Sequence, residues 1–157
     1  MDSKNKFLSF NLGNIDTAVI LLEKITEVVP ISLTEICSVP QMHNYILGIY
    51  NWRGEMLWII DLEEMLGYTS VIQEAPLTLK MMVIVVQAEG KYLGLLVRKL
   101  IDICWLDTDL MKSPDPQLFK SDIIPRLHGY FIGKSEDIII SLDANAIIKS
   151  PAWEIYS

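Results

Sequence analysis

The sequence predicts an all-β fold in which helix is the minor component, and three observations lead there. From Phe7 onward, short β-branched or aromatic runs alternate with turn residues. Paired runs at residues 46–62, 81–100 and 129–142 read as hairpins. Glycine, strand, turn, strand, Asp and short helix follow one another at residues 48–66 and again at 129–148, an internal echo that either two related small barrels or a fortuitous likeness of two hairpin-helix units explains.

The first strand, residues 7–12, ends at Gly13-Asn14. Residues 17–22 and 23–29 supply further strands, with Pro30 interrupting the ladder because it lacks an N–H. Residues 32–43 are irregular, with one helical turn at 34–37 before Pro40. The next hairpin turns at Arg53-Gly54, the glycine supplying positive φ, so that Trp52 faces Glu55 and Ile49 faces Trp58. Leu47, Ile49, Met56, Trp58 and Ile60 then share one face, and Ile46, Tyr50, Leu57 and Ile59 the other. With both faces apolar, this hairpin is expected to have packed matter on either side, Arg53 alone reaching out.

Asp61, followed three residues later by Glu64, caps a short helix whose apolar side is Leu62, Met65 and Leu66 and which stops at Gly67. Residues 68–80 have no periodicity and form a connector. The hairpin at 81–100 turns at Glu89-Gly90; Met82, Ile84, Val86, Leu93, Leu95 and Val97 share one face, Met81, Val83, Val85, Tyr92 and Leu96 the other. Residues 103–106 add a strand, 111–119 form a loop around Pro114 and Pro116, and the strands of the last hairpin flank residues 133–136. Asp143 caps a closing helix at 144–148. Read contiguously, the lobes are residues 14–68 and 80–142, with 143–157 as C-terminal helix and tail.

A chain of 157 residues with 51% hydrophobic content buries a substantial core without disulfides or metal. Its 13 basic residues are scattered against 20 acidic ones, giving a charge of -7, which argues against a nucleic-acid partner. Cys37 and Cys104 follow no ligand spacing and read as reduced, largely buried thiols of a cytoplasmic protein, with a disulfide between them as the alternative. The polar residues 1–6 do not form a secretory signal, and apolar runs such as 81–86 fall far short of the ~20 residues a spanning helix needs, so no direct membrane insertion is expected.

His43 and His128 are the neutral-pH bases, and neither stands in a recognisable catalytic setting. Phosphate-loop and metal-ligand spacings are absent, so neither an enzyme nor a cofactor is expected. Trp52, Trp58 and Trp105 lie in strands, where core packing is the default, Trp52 adjoining the turn; Trp153 lies near the C-terminus. Arg53 is the functional candidate. A guanidinium at a hairpin tip, beside Trp52 and Glu55, can grip a partner carboxylate in two places. An intramolecular pair with Glu55 would contribute only ~0–1 kcal/mol, so stability gives little reason for an arginine there. An alternative use of Tyr50, Trp52 and Arg53 is a small-ligand cleft between the barrels.

The motifs Phe7-Leu8-x-Phe10-x-Leu12-Gly13, Ile25-Thr26-Glu27-Val28, Val39-Pro40, Ile46-Leu47-Gly48-Ile49-x-Asn51-x-Arg53-Gly54, Ile60-Asp61-Leu62 and Leu66-Gly67 resemble those of the CheW family, adaptors between chemoreceptors and CheA-type histidine kinases. Val83-Ile84-Val85-Val86, Gly94-Leu95-Leu96-Val97 and Ser141-Leu142-Asp143 extend the resemblance over most of the chain. It implies two intertwined SH3-like five-stranded barrels. It also implies a groove for the cytoplasmic tip of a methyl-accepting chemoreceptor, here built from Ile25, Glu27, Val28 and Arg53, with Leu95 and Val97 as apolar neighbours. Barrel-end surfaces would bind the CheW-like regulatory domain of the kinase. Asn51, Trp52, Gly54 and Arg98 complete the expected interface. Four departures stand out: Trp58 in place of proline, Trp52 in place of leucine, Glu63-Glu64 where arginines are common, and Arg98 where aspartate is usual. The charged ones are expected to invert charge on partner-facing surfaces, which bears on partner choice and on whether the pathway is flagellar, pilus-based or phototactic.

Overall fold

Ten strands form two five-stranded sheets in the computed structural model, which describes residues 3–69, 72, 76 and 78–149. Much of the 68–80 connector, Trp153 and the rest of the tail beyond residue 149 lie outside the described residues. The strands are β1 (Lys4–Leu12), β2 (Asp16–Leu21), β3 (Ile25–Ser32), β4 (Ile46–Trp52), β5 (Glu55–Asp61), β6 (Lys80–Ala88), β7 (Lys91–Val97), β8 (Leu100–Asp107), β9 (Leu127–Ile132) and β10 (Ile138–Leu142). Two short helices follow the hairpins, α1 (Leu62–Met65) after β5 and α2 (Ala144–Ile148) after β10.

One sheet runs β8-β1-β2-β10-β9 and the other β3-β6-β7-β5-β4. The chain therefore begins in one lobe, builds the whole of the second from residues 25–97, and returns to finish the first. This corrects the contiguous lobes 14–68 and 80–142. The terminal lobe joins residues 4–21 to 100–142 because β10 pairs with β2 in parallel; the central lobe is closed by the matching parallel pair β5 and β7. Neither non-local pairing is marked in the local hydrophobic pattern.

The echo is a repeat in three dimensions. Asp61 accepts the Glu64 N–H at 3.2 Å and Asp143 the Ala146 N–H at 3.2 Å, each capping the helix that follows its hairpin. Gly48 and Gly129 occupy corresponding places, each where an incoming segment crosses the hairpin: Cys37 bridges to Ile49, and Lys112 to Tyr130. A Cβ at Gly48 would lie 2.1 Å from the Cys37 carbonyl oxygen, and one at Gly129 would lie 2.2 Å from that of Lys112. Close backbone approach requires glycine at both.

Three cores result. The largest lies between the lobes, where Leu8, Phe10, Ala18 and Ile20 of the terminal sheet meet Ile60, Ile84, Leu95 and Val97 of the central one. Each sheet also closes around its own interior, Ile31, Trp52, Leu57, Ile59, Val83 and Leu96 in the central lobe and Phe7, Val19 and Phe131 in the terminal lobe. Both faces of β6 and β7 are thereby buried, which explains their unbroken apolar runs.

Some strands depart from the expected pattern. A bulge at Leu47 sets Ile46 opposite Ile60 and Gly48 opposite Ile59. Ile46 thus joins the inter-lobe core and Leu47 packs against the central lobe's own core, the reverse of a regular alternation. Met56 is exposed rather than enclosed. Pro30 sits within β3 opposite Met82 instead of ending it, since an edge strand tolerates a missing donor. Trp105 is 59% exposed on the edge strand β8 and does not pack in a core. A 3-10 turn at Leu22–Lys24 takes residues expected to begin β3.

Another 3-10 turn, Leu33–Glu35, replaces the helical turn expected at 34–37. The Glu35 carboxylate accepts the Ser32 N–H at 2.9 Å and pairs with Lys80 at 2.8 Å. Hydrogen bonding from Lys80, then from the Ser32 backbone, lowers its pKa from 4.5 to about 2.

Two outcomes are expected. Gly48→Ala, forced against the Cys37 carbonyl, lowers the unfolding free energy in urea by about 2–3 kcal/mol, whereas Gly54→Ala, with open space at its Cβ, costs about 1–2 kcal/mol for its positive φ alone. Because the folded-state pKa of Glu35 is depressed, its contribution is present above pH 4.5 and lost as pH falls towards about 2. Melting curves of Glu35→Gln should therefore show a shallower loss of stability across that window than the parent.

Candidate protein-interaction site

The tip of the β4–β5 hairpin carries the most concentrated set of predicted site residues. Arg53 and Gly54 adopt φ of 53° and 79°, a turn whose twist matches that of the paired strands. Asn51 fixes it by accepting the Gly54 N–H at 3.1 Å. From this tip Arg53 Nη2 reaches Glu27 Oε2 of β3 at 2.9 Å, and the Trp52 indole N–H donates to the same oxygen at 3.3 Å. The Arg53 guanidinium lies over the Trp52 ring, 4.8 Å from its centroid, and Tyr92 packs 5.2 Å away on that indole. Strands β3 and β4 are opposite edges of the central sheet, so this cluster closes the curled sheet with side chains where no backbone ladder joins them.

Arg53 is thus held by Glu27, not by Glu55, yet its side chain is 60% exposed. Trp52 is 6% exposed and belongs to the lobe's core, its N–H edge bonded to Glu27 and its ring under Arg53. Ile25 and Val28 are half-buried on β3, packed against the inter-lobe core.

Three expected members of the interface are elsewhere. Leu95 and Val97 are wholly buried between the lobes, because β7 is a central strand with a core on each side. Arg98 is engaged internally: its Nε and Nη2 donate to Glu63 Oε2 and Oε1 at 3.0 and 2.9 Å, and Glu63 is fully buried. Glu63 and Arg98 are therefore each other's partners, and their opposite departures from the family pattern cancel inside the protein instead of inverting a surface. Glu64 is half-buried, its pKa raised by burial first and by the charge of Asp61 second, with His43 opposing. Trp58 is half-buried against the inter-lobe core.

Three exposed apolar residues are neighbours on β8. Ile103 lies opposite Leu8 and Trp105 opposite Lys6, with the Lys6 ammonium 5.2 Å from the Trp105 ring centroid. Leu8 is part of the inter-lobe core, so Ile103 and Trp105 continue that face of the terminal sheet past its covered portion; both are more than half exposed, as is Ile101. The sequence Ile-Asp-Ile-Cys-Trp alternates as any half-buried strand does, and nothing in it marks an edge.

His43 stacks on Tyr45 at 4.3 Å and His128 lies 3.7 Å from the cap Asp143. Among the described residues no group of three or more His, Cys, Asp or Glu side chains is placed to hold a metal ion. No helix among them is long and apolar enough to cross a membrane.

A family profile described as the CheW-like domain matches residues 6–152. The chain belongs to the CheW family. Among curated relatives it is 34% identical over 83 residues to the chemotaxis protein CheW of Rhizobium meliloti, covering 52% of this chain and 51% of that one. It is 36% identical over 85 residues to the probable chemotaxis protein CheW of Rhizobium etli, covering 54% and 52%. The chain thus spans about half the length of the curated relatives it matches. The crystal structure of the scaffolding protein TtCheW from Thermoanaerobacter tengcongensis superposes with a TM-score of 0.76 at 20% identity, over 94% of both chains, so the fold is that of CheW.

An exposed pair contributes little to stability, so Arg53→Ala should change the unfolding free energy by less than about 1 kcal/mol. Trp52→Ala, emptying a core position beneath the same tip, should cost about 3–5 kcal/mol. Denaturant titration of the two variants checks the contrast.

Proposed function

We propose that this chain is a non-catalytic cytoplasmic adaptor that couples the cytoplasmic tip of a methyl-accepting chemoreceptor to the regulatory domain of a CheA-type histidine kinase. The observation that carries this reading is an accessible cation at a rigid tip combined with exposed apolar side chains at a strand edge. Arg53 is preorganised by Glu27 and Trp52 yet keeps its outer face in solvent, so a partner carboxylate can share the guanidinium without first ordering it. Ile25 and Val28 of β3, with Ile103 and Trp105 of β8, supply apolar area of the kind found at the centre of protein interfaces, and Arg53 supplies the orienting charge.

Membership of a family whose relatives are named chemotaxis proteins, and a fold shared with a scaffolding protein, support the same conclusion. The adaptor works by holding two partners at once, so that receptor conformation biases a kinase whose own residues do the chemistry. The sensory pathway served is flagellar chemotaxis, pilus-based motility or phototaxis. A small-ligand cleft at Tyr50, Trp52 and Arg53 is disfavoured because the Trp52 ring is already covered by Tyr92 and Arg53.

Affinity for an isolated receptor tip, measured by titration calorimetry or quantitative pull-down, tests the proposal. Arg53→Glu and Trp105→Ala should each weaken it by about tenfold or more, a loss near 1.4 kcal/mol, while circular dichroism remains that of the parent. Unchanged affinity in both variants, or failure of the parent to bind either a receptor tip or a histidine kinase, overturns it.

A further inference from the structure

The Glu63 carboxylate is fully buried, and both its oxygens are used. Oε1 accepts from Arg98 Nη2 at 2.9 Å; Oε2 accepts from Arg98 Nε at 3.0 Å and from the Gly13 N–H at 2.7 Å. Those three residues come from three places. Glu63 is on α1, behind the central lobe's β5; Arg98 follows β7, at the point where the chain crosses to the terminal lobe; Gly13 is in the β1–β2 turn of that terminal lobe. A second link stands beside the first. Tyr68, just after α1, donates its hydroxyl to Asp16 at 2.5 Å, and its ring covers Gly13 so closely that a Cβ there would meet it at 3.0 Å.

We infer that Glu63 is an orienting residue: its carboxylate, shared between Arg98 and the Gly13 backbone, fixes the angle between the two lobes and thereby the spacing of β3 and β8. Beyond these two links and the exposed Lys149–Glu89 pair at 2.9 Å, the lobes meet through the apolar core, which is non-directional and holds two sheets together without selecting one angle between them. Hydrogen bonds to a buried carboxylate do select one, because a small rotation leaves a charge unpaired in a dry site. A role in stability alone explains the arrangement poorly, since well-packed apolar residues often replace buried ion pairs without loss. The consequence for β3 and β8 rests on the proposed receptor-facing surface; the orienting role does not.

The test is the inter-lobe distance in the full chain, by double electron–electron resonance between spin labels on the exposed Cys37 of the central lobe and on Lys134→Cys in the terminal lobe, in a Cys104→Ser background. Glu63→Gln should shift the mean distance or at least double the width of its distribution. The paired apolar change Glu63→Leu/Arg98→Met should recover the parent's melting temperature while keeping the altered distance, a separation that a merely structural role cannot produce. Val83→Ala, which weakens the central lobe's own core away from the junction, should leave the distance unchanged. Parent-like distances in both junction variants overturn the inference whatever receptor binding does, and altered distances support it even where no receptor tip binds.

Discussion

The apolar layer between the two sheets is the constraint on which the rest of this structure depends. Each sheet closes around a small core of its own, and neither small core is large enough to leave the outer face of its strands wet. The outer faces are therefore buried against one another, Leu8, Phe10 and Ile20 against Ile84, Leu95 and Val97. With both faces of the central strands committed in this way, strand interiors are unavailable to partners. Accessible places at the margins include the hairpin tip at Arg53, the edge strand β3 and the uncovered end of β8.

Two ion pairs show how the same chemistry serves different ends according to burial. Arg53 and Glu27 meet in partial exposure, where water screens their attraction and competes for both groups. Such a pair is easily shared with an incoming carboxylate or guanidinium. Glu63 and Arg98 meet where Glu63 is sealed from solvent, and there the penalty for parting them is that of an unpaired buried charge. One pair suits an exchangeable contact and the other a fixed joint, although sequence alone presents four charged residues with nothing to rank them.

The hairpins were legible because their signals are local. Arg53-Gly54 and Glu89-Gly90 are turns that demand positive φ, and the alternating faces of β6 and β7 follow from a period of two. The helix caps Asp61 and Asp143 were legible for the same reason. The bulge at Leu47 was not, since an extra residue in an apolar run leaves the composition of the run unchanged while exchanging its faces. Of the candidate interface, Ile25, Glu27, Val28, Asn51, Arg53 and Gly54 are near or on the accessible tip and edge. Leu95 and Val97 are as apolar as Ile103 and Trp105, and only position within the sheet separates buried from exposed.

Sequence by itself determined the class of the fold, the hairpins with their turn residues and the capped helices, because each rests on interactions within some twenty residues of chain. Tertiary structure decided which strands share a lobe, which apolar residues reach solvent, and that Glu63 and Arg98 neutralise each other. Those outcomes depend on the parallel pairings of β2 with β10 and β5 with β7 and on the packing of one sheet over the other. Contacts of that kind join residues far apart in the chain, and no local periodicity encodes them.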